Sequence, residues 1–469
     1  MSIATPIGPL SLAEKRVVVV GLGLSGIAAC RLLLARGAKV VATDSKAREA
    51  VSDEVRALEQ AGVTLVLGGH EAARMAEADL IVVSPGVPRF SDLERAERGG
   101  VPIWGEVELA VRAVNESAEA AGRKAPRLIA IGGTNGKSTV TSLVGALLER
   151  SGLRTFVGGN LGEPLAAHAD EAFDALVLEV SSFQMERVDS FHPEVSVLLN
   201  VTPDHLDRYE SEAAYANAKG NAFLRQTGDD VAIVPMGDDV CIAQARRGSG
   251  RIVTFGPGGD LDVRADAIVD RRKKDTYTRA RIGLQGGHNA LNVAAAIAAV
   301  ELFDLDDLLV EEVLEGFRGL PHRMVLVRTR AGVRWYDDSK GTNVGATVTA
   351  VRGVVEERVV LIAGGRDKGG SYGPLVEALR EKGRAVVLIG EAALLIRDAI
   401  GEVVPVLVAT SMSEAVSIAS SLAVAGDAVL LSPACSSFDM FRDYKERGDV
   451  FVSAVLALAD GASPVESKS

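Results

Sequence analysis

The strongest constraint on this chain is the stretch Arg127–Thr139, which reads RLIAIGGTNGKST. Its first five residues form an aliphatic and β-branched run typical of a buried parallel strand. A glycine-rich loop follows, and apolar residues then recur at helical spacing over residues 140–148. Strand, glycine loop, Lys-Ser-Thr and helix form a phosphate-binding arrangement, because backbone N–H groups and a helix N-terminus then face an anion. The sequence therefore predicts a nucleoside triphosphate site.

This loop is one residue shorter than the common pattern G-x-x-x-x-G-K-[ST], since position 131 is isoleucine and the first glycine is Gly132. In such loops the lysine, here Lys137, reaches the terminal phosphates, and the hydroxyl of Ser138 is a ligand of Mg²⁺. The alternative is a glycine-rich turn that contains a lysine by chance. The order of the surrounding elements favours the phosphate loop, and we expect a nucleoside triphosphate with Mg²⁺.

The length and the net charge of the chain limit the classes of protein to which it can belong. A chain of 469 residues is too long for one ordinary core, so two to three domains are expected. The formal net charge of −12 argues against nucleic acid and anionic membranes as partners. The three cysteines lack metal-ligand spacing, and we find neither a secretory signal nor an apolar run of membrane-spanning length. We expect a cytoplasmic α/β protein with several domains.

The first part of the chain contains a dinucleotide-type fingerprint. A strand at Val17–Val20 leads into Gly21–Gly26, which reads GLGLSG, and a second strand ends at Asp44. The motif specifies a diphosphate at a helix N-terminus and a hydroxyl- or N–H-bearing group near the acid. NAD, another nucleotide diphosphate such as a UDP group, and a purely structural turn all remain open. The loop 84–86 after a third strand is interpreted either as a ligand loop or as a rigid proline turn.

Two side chains follow strands in the central part of the chain. Glu179 lies within the aliphatic run 175–180, where a carboxylate is costly unless it is paired or binds a metal. We expect it near Mg²⁺, the alternative being a strand edge that faces solvent. His205 comes just after the apolar strand 195–201, and both a catalytic and a structural role remain open.

A helix opening near residue 287 places Asn289 and Asn292 on one face. Paired amides could recognise an adenine edge, although N-capping by Asn289 explains that residue equally well. Lys219, taken without further context, is interpreted as a surface lysine.

The C-terminal part alternates apolar strands with helical segments, which indicates a Rossmann-like parallel sheet. Polar loops at 337–343, 364–369 and 432–439 follow its strands, and together they suit a carboxylate-bearing ligand. Residues 111–124 are interpreted as a helix end and a linker. The predicted fold class is α/β with three domains: a Rossmann-like domain at 1–117, a P-loop mononucleotide-binding sheet at 118–320 and a Rossmann-like domain at 321–469.

Taken together, these motifs resemble the Mur ligases, ATP-dependent amide-forming enzymes of bacterial peptidoglycan assembly. The shortened loop Gly133–Thr139 is typical of that family and of folylpolyglutamate synthetase. The resemblance covers essentially the whole chain and continues through residues 179–184, 200–208, 215–219, 288–292 and 320–323. The runs DDSKGTN at 337–343 and SPACSSFD at 432–439 are similar to the family member that adds D-glutamate.

The resemblance implies a reaction. ATP would phosphorylate the carboxylate of UDP-N-acetylmuramoyl-L-alanine, and the amine of D-glutamate would attack the resulting acyl phosphate. It also implies two Mg²⁺ sites, a carbamylated lysine, small-molecule partners only, and a monomer. An NAD-dependent dehydrogenase, a non-catalytic P-loop protein and a sister ligase that uses another amino acid remain the alternatives.

The resemblance further implies roles for single residues. The expected catalytic residues are Lys137, Glu179, His205 and Lys219. ATP is expected at Gly133, Thr134, Asn135, Gly136, Lys137, Ser138, Thr139, Asn289, Asn292, Arg323 and Asp338. The UDP substrate is expected at Gly23, Leu24, Ser25, Gly26, Asp44, Ser45, Ser84, Gly86, Asn160 and Ser181. D-Glutamate is expected at Thr342, Lys368, Ser437, Phe438 and Tyr444. One Mg²⁺ is assigned to Ser138 and Glu179, and the other to His205 and carbamylated Lys219, because CO₂ addition converts an ammonium into an oxygen donor.

Overall fold

The structure is a computed structural model that describes residues 12–205, 208–284 and 286–459. Within these residues the chain forms two compact units. The first comprises the described residues up to Val201 with Ala213–Gly283 and Ala290–Phe317, and the second comprises the described parts of Thr202–Glu212, Leu284–Asn289 and the chain from Arg318 onward. No helix in the described residues is both long and apolar enough to cross a membrane. The predicted boundaries after residues 117 and 320 stay predictions.

The first sheet contains five parallel strands, which agrees with the dinucleotide-type pattern. Its strands are β1 (Arg16–Val20), β2 (Lys39–Asp44), β3 (Thr64–Leu67), β4 (Leu80–Val83) and β5 (Ile103–Gly105), in the order β3-β2-β1-β4-β5. Its helices are α1 (Leu24–Ala35), α2 (Asp53–Gln60), α3 (Ser91–Arg98) and α4 (Glu106–Ala120). The segment 111–124, predicted as a helix end and a linker, is helical up to Ala120 and non-helical after it. Val111, Val114 and Ala118 recur at helical spacing and are buried in α4.

The second sheet contains nine strands and includes the predicted strand before the phosphate loop. Its strands are β6 (Arg127–Gly132), β7 (Thr155–Gly159), β8 (Ala175–Glu179), β9 (Val195–Leu198), β10 (Val231–Pro235), β11 (Arg251–Gly256), β12 (Leu261–Val263), β13 (Ala267–Asp270) and β14 (Asp275–Thr278), in the order β14-β13-β12-β11-β10-β9-β6-β8-β7. The neighbouring helices in the chain are α5 (Lys137–Arg150), α6 (Ser182–Met185), α7 (Glu212–Gly220), α8 (Asp239–Ala245), α9 (Gly287–Ala299) and α10 (Asp307–Gly316). The antiparallel extension from β12 to β14 was not predicted.

The third sheet, in the second unit, has six strands in the order β15-β16-β20-β17-β18-β19, where β15 is Val325–Arg330, β16 Val333–Asp337, β17 Val359–Gly364, β18 Gly383–Ile389, β19 Val406–Val408 and β20 Ala428–Leu431. Its helices are α11 (Val344–Gly353), α12 (Gly373–Lys382), α13 (Ala393–Ile400), α14 (Met412–Leu422) and α15 (Tyr444–Ala457). The predicted strands are present. The antiparallel edge strand β15 was missed because it is partly polar and none of its residues is buried. Three parallel-rich sheets confirm the predicted α/β class.

The first two sheets share one hydrophobic core. Buried residues of α1 and α4 belong to the same cluster as Leu128 of β6, Leu176 of β8 and Leu165 in the short helix Leu165–His168. A buried carboxylate reinforces this packing, since Glu108 of α4 accepts the N–H groups of Asp189, Ser190 and Phe191 at 3.0, 2.9 and 3.1 Å. The carboxylate also accepts the Nε–H of Arg112 at 2.6 Å. Both sheets are therefore parts of one packed body.

A second carboxylate of α4 makes the stability of this body depend on pH. Glu106 is 2% exposed, and burial raises the pKa of its carboxyl from 4.5 to about 7, although the N–H of Ala166 opposes that shift. A raised folded-state pKa contributes stability that is complete below the unfolded pKa and is lost as the pH rises through about 7. The lost stability amounts to about 3 kcal/mol. We expect Glu106→Gln to raise the Tm by several degrees relative to the unmodified protein at pH 8, and by much less at pH 5, in differential scanning calorimetry.

The control for Glu106→Gln is Glu119→Gln, which removes an exposed carboxylate from the same helix. We expect its Tm difference from the unmodified protein to be small at both pH values. An equal Tm difference for Glu106→Gln at pH 5 and pH 8 would contradict the assignment.

Candidate functional site

The phosphate loop has the predicted strand–loop–helix geometry. β6 ends at Gly132 and α5 begins at Lys137, whose Nζ donates to the Thr134 carbonyl at 2.8 Å. Gly136 has φ +86°, and a Cβ there would lie 2.5 Å from Oδ1 of Asn292. Glycine is thus required both by the left-handed backbone and by the approach of the amide. Thr134, Ser138 and Thr139 are buried, and the structure places the predicted residue Asn292 beside the loop.

Lys219 of α7 lies against this loop and not on the surface. Its side chain is 5% exposed, and its Nζ donates to the Gly133 carbonyl at 2.7 Å. The same Nζ is 4.4 Å from the centre of the Tyr215 ring, and the Tyr215 hydroxyl is 3.2 Å from Oγ1 of Thr134. The surface interpretation of Lys219 was wrong, because a side chain that follows no strand and shows no motif of its own gives no sign of burial. α7 therefore directs a nitrogen at the first half of the loop.

Glu179 ends β8, the strand next to β6. Its carboxylate is 2% exposed, and its Oε1 accepts the Asn160 Nδ2 at 2.6 Å. The register pairs Glu179 with Ile131, one residue before the glycines of the loop. The alternative of a solvent-facing glutamate is wrong. Ser181, two residues further, caps α6 through its side chain and forms a capping box with Gln184.

The oxygen atoms at the carboxyl ends of β6 and β8 suit a magnesium ion that is held largely by phosphates. Mg²⁺ takes oxygen ligands and is usually bound through one or two protein groups plus substrate phosphates and water. The hydroxyl of Ser138 and the carboxylate of Glu179 are such groups, and the two residues lie on neighbouring elements. Among residues 12–205, 208–284 and 286–459, no group of three or more His, Cys, Asp or Glu side chains is placed to hold a metal by itself.

The glycine loop of the first sheet is held by side chains predicted as ligand contacts. Oδ2 of Asp44 accepts the Leu22 N–H at 2.8 Å, and the Ser84 hydroxyl donates to the Gly21 carbonyl at 2.7 Å. A Cβ on Gly26 would collide with that same carbonyl, so only glycine allows α1 to approach. The remaining predicted positions are more open: a Cβ on Gly23 or Gly86 meets nothing within 4 Å, Ser45 is exposed, Ser25 is half-buried and Leu24 is 70% exposed. The loop and its open rim thus form a surface at the start of α1.

In the second unit, Asp204 brings together side chains from distant parts of the sequence. Its Oδ1 accepts the His205 N–H at 3.0 Å and lies 3.6 Å from the Lys368 Nζ. Its Oδ2 accepts the Asn343 Nδ2 at 3.3 Å. His205 adopts φ +55°, an uncommon conformation for a residue other than glycine. The sequence prediction of His205 and Lys368 missed Asp204, although it directly precedes His205.

Asp338 follows β16 and is buried. Burial raises the pKa of its carboxyl to about 7, while the Ser432 hydroxyl, which donates at 2.7 Å, and the Arg323 guanidinium oppose that rise. The other predicted residues of this unit lie in its loops or at the beginnings of helices. Thr342 is half-buried, Ser437 is buried, Phe438 is exposed, Tyr444 begins α15, and Asn289 lies in the first turn of α9.

A buried arginine that the sequence did not suggest joins two of these loops. Arg447 of α15 donates from Nε to the Ser339 hydroxyl at 3.0 Å and from Nη2 to the Ser339 carbonyl at 2.8 Å. Its Nη1 donates to the Cys435 carbonyl at 3.1 Å. Burial lowers the pKa of its guanidinium to about 10. The loops 337–343 and 432–439 are therefore connected through one side chain. The sequence around residue 447 contains no pattern that predicts this contact.

Three family models match successive parts of the chain. The model described as Mur ligase MurD-like, N-terminal domain, matches residues 15–105. The Mur ligase middle domain matches residues 131–300, and the Mur ligase glutamate ligase domain matches residues 322–435. The matches follow the order of the three sheets.

Relatives of known name match over nearly the whole length. The UDP-N-acetylmuramoylalanine–D-glutamate ligase of Geobacter metallireducens is 41% identical, covering 97% of this chain and 100% of that protein. The ligase of the same name from Desulfosudis oleivorans is 43% identical, covering 97% of this chain and 98% of that protein.

Solved structures agree on the fold. The UDP-N-acetylmuramate-alanine ligase MurC of Thermotoga maritima has a TM-score of 0.58 at 21% identity, covering 94% of this chain and 99% of that chain. A folylpolyglutamate synthase of Mycobacterium tuberculosis, complexed with ADP, has a TM-score of 0.56 at 18% identity, covering 70% of this chain and 92% of that chain. At these identities the likeness shows the fold alone.

Proposed function

The chain belongs to the Mur ligase family, and we propose that it is the member that joins D-glutamate to UDP-N-acetylmuramoyl-L-alanine in peptidoglycan precursor synthesis, with consumption of ATP. The observation that carries this proposal is the identity of at least 41% over nearly the full length of ligases named for that reaction. The sequence prediction of the family, of the enzyme class and of ATP use is thereby confirmed.

The phosphate loop gives this chemistry a physical basis. A carboxylate does not acylate an amine, because its oxygen is a poor leaving group, and transfer of the γ-phosphate of ATP removes that obstacle. The attack joins two anions, so the site must offset negative charge. Lys137 and the N-terminus of α5 provide positive charge at the loop, and Gly133 and Gly136 let the backbone N–H groups turn toward the phosphates. The amine of D-glutamate then attacks the acyl carbon, and phosphate leaves.

Magnesium would be held at the loop by Ser138 and Glu179. When bound, it would neutralise charge on the phosphate oxygens. The hydrogen bond from Asn160 fixes one carboxylate oxygen of Glu179 at the end of β8, and this orients the carboxylate for binding the ion. These assignments are proposals drawn from the donor set.

Lys219 is the residue that we propose to be carbamylated. Its nitrogen is buried beside the Gly133 carbonyl at the start of the phosphate loop. As an ammonium, this nitrogen cannot bind a cation. A carbamate would place oxygens there, which hard cations such as Mg²⁺ accept.

The second unit supplies candidates for binding D-glutamate. Lys368 and Thr342 belong to two of its polar loops, and Ser437, Phe438 and Tyr444 lie in or after the third. A cation and several hydroxyl groups suit an amino acid with two carboxylates. The location in the cytoplasm and the monomeric state stay predictions.

The proposed function is tested by phosphate release. We expect release only when ATP, Mg²⁺, UDP-N-acetylmuramoyl-L-alanine and D-glutamate are all present, with each of the other amino acids, including L-glutamate, supplied in turn as the control. The same rate with another amino acid would point to a sister ligase. Binding of NADH, followed by nicotinamide fluorescence, would instead favour the dehydrogenase alternative.

A further inference from the structure

Asn200 is bonded to the phosphate loop through both polar atoms of its side chain. Its Oδ1 accepts the N–H groups of Asn135 at 2.8 Å and Thr134 at 3.2 Å, and its Nδ2 donates to the Asn135 carbonyl at 3.0 Å. The Asn200 carbonyl also accepts the Thr134 N–H at 3.0 Å. One residue from outside the loop thus satisfies donors and an acceptor in the middle of it.

The sheet fixes the position of Asn200 independently of the loop. β6 and β9 pair in parallel up to Gly132 and Leu198, and the Leu199 N–H then donates to the Gly132 carbonyl at 3.1 Å. This pairing continues the ladder beyond the strand ends. The register of β6 and β9 therefore places Asn200 beside the loop.

One bond of Asn200, from Nδ2 to the Asn135 carbonyl, reaches further along the loop than the bonds of the two nearby lysines. Lys219 bonds to the carbonyl of Gly133 and Lys137 bonds to that of Thr134, both before the Asn135 carbonyl. Asn200 holds the peptide just before Gly136, where a Cβ would lie 2.5 Å from Oδ1 of Asn292. A change in the Asn135 peptide would therefore be passed on to the N–H groups that open α5.

We propose that Asn200 is a positioning residue whose side-chain amide replaces the peptide group that the shortened phosphate loop lacks. A side-chain amide offers an N–H donor and a carbonyl acceptor, as a peptide group does. With one residue fewer, the loop has one donor and one acceptor fewer to stabilise itself. The Asn200 amide supplies both and keeps the N–H groups of residues 136–138 directed at the phosphates. The proposal rests on the proposed ATP-dependent function.

The test compares phosphate-bearing and phosphate-free ligands in Asn200→Ala. By calorimetry we expect the affinity for ATP and ADP to fall at least tenfold, while the affinity for adenosine, measured by competition, stays within twofold. In the ligase assay, KM for ATP should rise at least tenfold and KM for D-glutamate should stay within twofold. A residue that only stabilised the fold would affect all ligands alike.

Gln226→Ala is the matched control. The buried Gln226 amide donates from Nε2 to the carbonyls of Pro193 and Val231 at 3.1 and 2.9 Å, at the amino ends of β9 and β10. This variant loses bonds from a buried amide to the backbone at the edge of the sheet opposite the loop. We expect a lower Tm with unchanged affinity for ATP.

The outcomes separate the proposals. Equal losses for ATP and adenosine, or no loss for either, would overturn the role of Asn200. If Asn200→Ala does not fold by circular dichroism, Asn200→Ser, which keeps a hydroxyl acceptor, is measured in the same way, and a loss of affinity confined to ATP and ADP is again required. If the unmodified protein consumes no ATP with all substrates present, the proposed function itself fails.

Discussion

Lys137→Ala is expected to lower kcat about a thousandfold or more while leaving the fold intact. The lysine is the first residue of α5, and its ammonium is the charge that the loop offers to the terminal phosphates. Removing one donor from a site of developing negative charge typically costs roughly 10²- to 10³-fold, and in phosphoryl transfer a catalytic cation contributes roughly 10³ to 10⁵. Alanine favours helices, so α5 should persist. Single-turnover measurement of ADP formation, with circular dichroism as the check on folding, tests this expectation.

The control for Lys137→Ala is Lys124→Ala, which removes an exposed lysine of the same unit just before β6. Its kcat should equal that of the unmodified protein. A fall in kcat of less than tenfold for Lys137→Ala would mean that the loop does not hold the reacting phosphate.

Lys219→Ala is expected to lower kcat at least a hundredfold, and acetate is expected to restore part of the loss. Removal of the buried side chain leaves space beside the Gly133 carbonyl, into which a small carboxylate can bring oxygens. If the working form of Lys219 is a carbamate, acetate imitates its oxygen donors. The measurement is kcat as a function of acetate concentration, with chloride at the same ionic strength as the reference.

Lys219→Met distinguishes chemical rescue from a general effect of acetate. Methionine fills the space that alanine leaves but supplies no oxygen. We expect it to be inactive and insensitive to acetate. Equal recovery in both variants, or more than a tenth of the original activity in Lys219→Ala without acetate, would contradict carbamylation.

The fold was predictable where local pattern and tertiary structure agree. Apolar runs predicted strands in each of the three sheets, because a strand buried on both faces must be almost wholly apolar. The strands that were not predicted are β3, β5, β7 and β10 to β15. Among them, β12 to β14 have only three or four residues each, and β15 has no buried residue. The segment 111–124 was predicted as a helix end and a linker, and the helix extends to Ala120. The extent of the helix was not predictable, because only its packing shows that Val111, Ala113 and Val114 belong to the core.

The candidate site was predictable to the extent that its residues belong to contiguous motifs. The phosphate loop and Glu179 could be found from the strands that precede them. Lys219 could be assigned only through the family resemblance. Arg447 and Asn200 act on loops 108 and 65 residues away in sequence, at Ser339 and Asn135. Such contacts depend on the register of strands that a single sequence does not specify.

The shared core of the first two sheets limits the exchange of the first sheet between related ligases. A fragment that ended near residue 117 would uncover the apolar side of α4, and Glu108 would lose the main-chain amides of residues 189–191. A chimaera that takes its first sheet from another ligase must therefore also take the matching surface from the second. Exchange of the first sheet alone would bring together apolar surfaces that do not match, and aggregation rather than altered specificity is the expected result.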